Sequence, residues 1–232
     1  MATAPLLEDL ERETDEDPMT VEIPVSDKDS SLDLGDFVPP GMTRPLGETV
    51  DPVLGADPTF IVAVSGTPSI GLNARQRIRA RDLAVQAAAL AVKKNTQIQY
   101  SMGDNRWDPI KRNRKAWRGE VGRFEDCSSF VTWCLWNGLD HFGVDDVVNG
   151  DSWRSGWTGS MVQHGIRVSQ AEILRGDVLF YLNDHGEIGH CTIYVGGGMC
   201  ITHGHDADTG TEEPEKKPMG YRTINHIRRY IH

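Results

Sequence analysis

The sequence lacks the features that mark a secreted or membrane-spanning chain. Its first residues, MATAPLLEDLERETDEDP, have no basic segment followed by a long apolar one, which argues against a secretory signal. No stretch approaches the ~18 apolar residues that cross a bilayer. The longest candidate, LAVQAAALAV, is short and is interrupted by Gln86. We therefore expect no membrane insertion, so work outside the cell would need another route across the membrane.

Cysteine is scarce and no internal repeat is visible. Four cysteines in 232 residues are too few for a dense disulfide framework. The glycines of VGGG, at 195–198, precede neither a Lys-Ser/Thr pair nor a helix. They therefore predict a turn and not a phosphate-binding loop.

Basic residues are scarce in the first part of the chain and balance the acidic residues in the rest. Residues 1–40 contain 12 acidic residues against Arg12 and Lys28, and the rest of the chain has equal numbers of acidic and basic residues. The run RWDPIKRNRKAWR (106–118) holds six Lys/Arg and two tryptophans, but no broad basic field surrounds it. We expect no nucleic-acid partner and interpret the run as the rim of a substrate site, with a solvated loop as the alternative.

The composition divides the chain in two. Residues 1–58 are acidic and rich in proline, which predicts an extension that is disordered or docks on a partner. Residues 59–232 form the predicted domain, which begins near the apolar segment FIVAV (60–64).

Helices come first within this domain and strands follow. Asn73 and Gln76 form a capping pattern for a helix to about Asn95, with an inner side that holds Ile78, Leu83, Ala87, Leu90 and Ala91. A second helix is expected over about 128–138, ending at Gly138. Short apolar runs at about 177–182, 190–195, 199–203 and 221–231 predict strands. This order indicates an α+β fold, with helices packed on a small antiparallel sheet.

Cys127 lies where a helix can ionise it. It follows Asp126 and precedes Ser128-Ser129, and Asp and Ser are residues that start helices. In the first turn, the positive end of the helix dipole favours thiolate, and free N–H groups can bind an oxyanion. Cys134 lies seven residues on, mid-helix, and is expected to be a buried, inert thiol.

A base for this thiol is expected on a hairpin, GHCTIYVGGGMCITHG (189–204). A two-residue turn at Gly196-Gly197 pairs Ile193 with Cys200 and places His190 opposite His203 on one face. His190 would then take the thiol proton, and His203 would hold the other nitrogen of its ring. A longer turn would put the two histidines on opposite faces.

Metal binding is the alternative use of these side chains. Cys191, Cys200, His203 and His205 are possible zinc ligands, but their spacing matches no short zinc motif. We expect neither a metal nor an organic cofactor.

Three segments resemble the signature segments of NlpC/P60-type cysteine peptidases, which are papain-like hydrolases that cut peptidoglycan stem peptides. They are DCSSFV (126–131), LRGDVLFY (174–181) and GHCTIYVGGGMCITHG (189–204), and the resemblance covers about residues 73–205. The residues of these segments are most similar to those of family members in phages of actinobacteria. The resemblance implies that Cys127, His190 and His203 are catalytic and that Tyr100 lines the site near the oxyanion hole. It also implies that Asp126 and Ser128 hold the N-terminal end of the stem peptide.

The chain departs from this family at two places. Ser129 stands where the family usually has glycine, and the segment 101–122 is long. By resemblance we expect an endopeptidase that cuts a stem-peptide amide bond, with D-glutamyl–diaminopimelate favoured and the bond between muramic acid and L-alanine as the alternative. We expect the chain to act at the bacterial cell wall as part of a phage tail, with residues 1–58 docked on other phage structural proteins. An endolysin that acts from the host cytoplasm, and a structural tail component with an inactive domain, are the alternatives.

Overall fold

Residues 70–204 and 212–232 are the part of the protein that the computed structural model describes. They form a mixed α+β domain, as predicted. The predicted extension over 1–58, the apolar segment 60–64 and His205 lie outside the described residues.

The helices within these residues differ greatly in length. α1 and α3 are long, and each begins at a side-chain cap, whereas α2 and α4 are single turns. They are α1 (Ala74–Lys93), α2 (Asp108–Lys111), α3 (Cys127–Leu139) and α4 (Thr158–Met161). None of the helices in the described ranges is long and apolar enough to span a bilayer.

Six strands form one antiparallel sheet. Its order is β3-β8-β4-β5-β6-β7, so β4 to β7 form a meander and β8 returns between β3 and β4. The strands are β3 (Ile166–Arg167), β4 (Val178–Leu182), β5 (Ile188–Gly196), β6 (Met199–Thr202), β7 (Glu215–Pro218) and β8 (Ile224–Arg229). The alternation along β4 sends Val178 and Phe180 into the core beneath the helices, and Leu179 and Tyr181 into a smaller cluster on the other face.

A second, parallel pair of short strands leads into the long buried helix. β1 (Gln99–Tyr100) pairs with β2 (Phe124–Glu125), with Tyr100 beside Glu125. Both strands run toward the start of α3, so Tyr100 and Asp126 come to the same end of the pair.

The capping box that the sequence predicts for α1 is present. The Asn73 side chain accepts from the Gln76 N–H, and the Gln76 side chain accepts from the Asn73 N–H, each at 2.9 Å. Leu83, Ala87 and Ala91 are buried as expected, but the expectation for Ile78 is wrong, since 60% of it is exposed. Ile78 lies off the face that packs against α3.

α3 is buried along its whole length and crosses α1 closely. The expected end at Gly138 is one residue early, and this glycine has a packing role instead. A Cβ atom at Gly138 would lie 2.3 Å from the carbonyl oxygen of Ala80. The absence of a side chain therefore allows the two helices to approach.

The predicted register of the β5–β6 hairpin is wrong by one residue. The structure pairs Ile193 with Ile201, Tyr194 with Cys200 and Gly196 with Met199, and a bulge falls between Tyr194 and Gly196. The turn is therefore Gly197-Gly198, where φ is +60° and +71°. Both values suit a two-residue hairpin turn, and Gly196 also has positive φ, which accommodates the bulge.

Candidate active site

Cys127 is the first residue of α3. Asp126 is its extended N-cap: Asp126 Oδ1 accepts from the Ser129 N–H at 2.7 Å, and Ser129 Oγ accepts from the Asp126 N–H at 2.8 Å. Ser129, which departs from the family pattern, thus completes a capping box. The N–H groups of Cys127 and Ser128 have no intrahelical acceptor because they lie in the first turn. The predicted position of Cys127 is confirmed.

The surroundings of Cys127 favour its thiolate, although only 7% of the residue is exposed. The Cys191 thiol donates to the Cys127 carbonyl oxygen at 3.5 Å, so the two cysteines are direct neighbours. A thiol hydrogen bond from Cys191, followed by the charge and the hydrogen bond of His190, lowers the pKa of Cys127 to about 5 against the opposing effect of burial. Burial and the neighbouring Cys127 raise the pKa of Cys191, so this second thiol stays protonated and can donate.

His190 is held from the side remote from Cys127 by a threonine. His190 Nε2 lies 2.7 Å from Thr202 Oγ1, and the Tyr221 hydroxyl donates to the same oxygen at 3.4 Å. Since Nε2 is engaged by Thr202, Nδ1 is the ring nitrogen left to exchange a proton with Cys127. The ring therefore has one nitrogen for the thiol and one for an orienting hydroxyl.

His203 does not occupy the orienting position that the sequence predicted for it. Its Nε2 donates instead to the Glu125 carbonyl oxygen at 3.1 Å. The one-residue shift of the hairpin is the reason, because it moves His203 to the other face of the sheet and places Thr202 on the same face as His190. Burial lowers the pKa of His203 to about 4, so the ring is neutral near pH 7.

Tyr100 packs beside the same histidine. Its ring lies edge-on to that of His203, with centroids 5.5 Å apart. Burial, and then the charge of Cys127, raises the pKa of the Tyr100 phenol, so it remains a neutral hydroxyl. Tyr100 is thus close enough to the nucleophile to sense its charge.

Asp126 and Ser128 are engaged within the chain. Ser128 Oγ donates to Asp126 Oδ1 at 2.8 Å, and Arg106 Nη1 pairs with Asp126 Oδ2 at 2.8 Å. Arg106 also donates to the Gly156 carbonyl oxygen at 3.0 Å. The guanidinium therefore connects the long 101–122 segment to the helix start and to a second loop, and its side chain is 22% exposed.

The remaining cysteines fit a structural role. Cys134 is fully buried in α3, and burial raises its pKa well above the usual value. Cys200 lies near Tyr181 in the cluster on the other face of the sheet. Across residues 70–204 and 212–232, no three His, Cys, Asp or Glu side chains are grouped to hold a metal ion.

Residues 113–228 match the NlpC/P60 family. The match covers half of the 232 residues, and the chain belongs to this family. No match is found among curated proteins.

Several solved structures are similar in fold. The peptidoglycan hydrolase RipB from Mycobacterium tuberculosis is 20% identical, with a TM-score of 0.46 and coverage of 69% of each chain. The P60 domain of an antigen from M. avium subspecies paratuberculosis is 19% identical, with a TM-score of 0.43 and coverage of 67% of this chain and 98% of that one. NlpC1 from Trichomonas vaginalis is 19% identical, with a TM-score of 0.41; the alignment covers 63% of this chain and only 44% of NlpC1.

Three residues at the site were missed by sequence reasoning. Thr202 immediately precedes the expected His203, and the alternative hairpin register would have found it. Cys191 was considered only as a possible zinc ligand. Arg106 belongs to the basic run, where nothing in the spacing distinguishes it from its neighbours.

Proposed function

We propose that this chain is a cysteine peptidase that hydrolyses an amide bond in the stem peptide of bacterial peptidoglycan. One observation carries the proposal: Cys127 stands at the N-terminus of α3 with a lowered pKa beside His190, whose Nε2 is fixed by Thr202. Membership of the NlpC/P60 family supports the substrate class.

In this mechanism Cys127 is the nucleophile and His190 is the base and acid. The thiolate attacks the carbonyl carbon, and the new oxyanion receives the N–H groups of Cys127 and Ser128. His190, protonated at Nδ1, gives that proton to the leaving amine as the C–N bond breaks. A water molecule then attacks the thioester with His190 as the base, which releases the acid and restores the thiol. Thr202 keeps the ring in place through Nε2.

For the bond that is cut, we propose D-glutamyl–diaminopimelate. The resemblance of the segment around Cys127 and of the hairpin to the signature segments of the NlpC/P60 family supports this bond. The bond between muramic acid and L-alanine is the alternative.

We further propose that the chain acts at the cell wall from a phage particle, with residues 1–58 docked on other phage structural proteins. Twelve acidic residues within the first 40 support a docking role, since catalysis does not need them. Detection of the chain in purified particles tests this location, and its presence only in lysates of infected cells would favour an endolysin.

Digestion of diaminopimelate-type peptidoglycan tests the activity. Wild-type protein should release fragments whose masses identify the new termini, and Cys127→Ala should release none while retaining its thermal unfolding midpoint. Cys134→Ala is the matched control, since it removes a thiol from the same helix away from the site; it should cost about 1 kcal/mol of stability and remain active. Equal activity of wild type and Cys127→Ala would overturn the proposal.

A further inference from the structure

A cavity of about 500 Å³ lies apart from Cys127. It is lined by the end of α1, the 101–122 segment and the beginning of β2, and its charged wall consists of Lys94, Asp108, Arg112, Arg114, Glu120 and Arg123. β2 begins at this cavity with Phe124 and is followed by Asp126, so the cavity and the candidate active site lie at opposite ends of this strand. Phe124 in its wall is three residues before Cys127, which limits the separation of their Cα atoms to about 10 Å.

Both acids in the wall are already engaged by the protein. Asp108 Oδ1 pairs with Arg112 Nε at 2.6 Å, and its other oxygen accepts from the Arg123 N–H at 3.0 Å. Glu120 Oε2 accepts from the Lys115 N–H at 3.1 Å. The cavity wall therefore holds four cationic side chains against two carboxylates, and one of these carboxylates is already paired with Arg112.

Two guanidinium groups in the wall lack such partners. Within the part of the chain that the structure describes, the side chains of Arg114 and Arg123 make no hydrogen bond and no ion pair; the Arg123 guanidinium lies 5.1 Å from the Phe124 ring centroid. Arg114 Nε is in addition shut off from solvent without an acceptor. Buried donors are nearly always hydrogen-bonded, so an unpaired one beside a cavity points to an acceptor supplied from outside.

The backbone holds Arg114 in this place. Its N–H donates to the Pro109 carbonyl at 2.7 Å, and its own carbonyl accepts from Trp133 Nε1, which is on α3, at 2.9 Å. The Ala116 N–H donates to Asn137 Oδ1 at 2.8 Å. The cationic wall is thus anchored to the buried helix.

We propose that this cavity is a second binding site, which takes an oxyanion, a carboxylate or phosphate group, carried on a larger molecule. Guanidinium groups present planar sets of donors that match both kinds of oxyanion. The volume exceeds that of a bare ion and falls in the usual range for organic ligands, so the rest of the ligand also has space. The proposal is independent of the peptidase activity.

Nuclear magnetic resonance titration of the full chain tests the site with two probes, inorganic phosphate and glutarate, at constant ionic strength. Saturable shifts are expected for the Arg114 Nε–H resonance and for the backbone amides of residues 119–124. If only phosphate saturates the site, the ligand carries a phosphate group. If only glutarate does, the ligand carries a carboxylate group. If both do, the site accepts either group.

Two variants and one control decide whether the cavity is responsible. Arg114→Gln and Arg123→Gln should each weaken binding at least tenfold, while Arg167→Gln, which makes the same charge change at an exposed position on β3, should leave it unchanged. Arg123 is itself exposed, so Arg123→Gln keeps the test valid even if Arg114→Gln unfolds. The absence of saturable shifts with both probes, or equal affinity in Arg123→Gln and wild type, would overturn the proposal. Because Cys127→Ala should bind the probes as wild type does, this result is separable from the outcome of the digestion.

Discussion

Cys127 is ionised mainly by its neighbours, and the helix end is a lesser cause. A helix N-terminus stabilises an exposed charge by ~0.3–1 kcal/mol, which lowers a pKa by less than one. The pKa of Cys127 falls from 9.0 to about 5, and the first cause is the Cys191 thiol hydrogen bond, ahead of His190. Cys191, which the sequence offered as a metal ligand, keeps its proton and lies against the main chain of Cys127.

The pH dependence of alkylation tests this account. Because the pKa of Cys127 is lowered to about 5, its thiolate is fully formed above that pH, and the rate of iodoacetamide modification should be flat from pH 6.5 to 8.5. A thiol with an ordinary pKa of about 8.5 would react about tenfold faster for each pH unit over the lower part of this range. Peptide mass spectrometry identifies the modified residue.

Cys191→Ala provides the comparison for this experiment. Removal of the donor thiol should move the plateau of Cys127 alkylation to higher pH, while Cys134→Ala should leave it in place. Faster modification of Cys134 than of Cys127 would contradict the assignment of the nucleophile.

Thr202 is expected to act as a positioning residue. Thr202→Val keeps the shape of the side chain but removes the acceptor for His190 Nε2, so the ring loses its preferred orientation. We expect kcat to fall roughly ten- to a hundredfold with little change in KM, since correct acid–base placement contributes 10²–10⁴ in such enzymes. Steady-state kinetics on a soluble stem peptide measures both constants.

The hydroxyl itself is tested by two further variants. Thr202→Ser restores an oxygen and should recover most of the lost kcat. Thr192→Val, at another fully buried threonine of the hairpin, should leave kcat unchanged. A full kcat in Thr202→Val would show that His190 needs no partner at Nε2.

At the scale of elements, local signals predicted the helix starts and could not predict the hairpin register. The caps at Asn73 and Asp126 depend on side chains within three residues, so the sequence contains all the information that they need. The turn lies in three consecutive glycines, all of which tolerate positive φ, so Gly196-Gly197 and Gly197-Gly198 suit a two-residue turn equally well. Packing across the sheet decides between them, and the bulge between Tyr194 and Gly196 then places Thr202, and not His203, on the face of His190.

The crossing of α1 and α3 gives a prediction about stability. Gly138→Ala would place a Cβ atom 2.3 Å from the Ala80 carbonyl oxygen. The Cβ atom is fixed to the α3 backbone and the oxygen belongs to the α1 backbone, so the clash is relieved only if the two helices separate. We expect a loss of about 1–3 kcal/mol, or more, in the free energy of unfolding, measured by urea denaturation.

Gly220→Ala is the control for this substitution. A Cβ atom there would meet no atom within 4 Å, and φ is not positive, so the change should be nearly neutral. Equal stability of the two variants would mean that the helices do not approach as closely as described.

At the scale of the whole molecule, the order of the sheet brings the site together from distant parts of the sequence. β5 supplies His190, β6 is followed by His203, and α3 packs on β5 while its N-terminus presents Cys127. Arg229, at the end of β8, forms a two-point ion pair with the buried Asp177 just before β4, at 2.9 and 2.8 Å. The order of the sequence patterns predicted the helices and the antiparallel sheet. The position of β8 between β3 and β4 depends on long-range contacts such as the Arg229–Asp177 ion pair, which the sequence order does not reveal.

The division of charge along the chain gives the last prediction. Residues 1–40 contain 12 of the 34 acidic residues, and residues 37–58 contain five prolines, a composition that supplies little apolar area for a core. We therefore expect that a chain lacking residues 1–58 keeps its unfolding midpoint within about 2 °C and its kcat/KM on a soluble stem peptide, since changes outside a core alter stability by less than about 0.5 kcal/mol. A full-length variant with the acids of residues 1–40 changed to Asn and Gln separates the effect of charge from that of length. If the extension docks on a phage component, both variants should lose association with purified particles while both keep their activity; a fall in the unfolding midpoint of either would instead assign residues 1–58 to the stability of the domain.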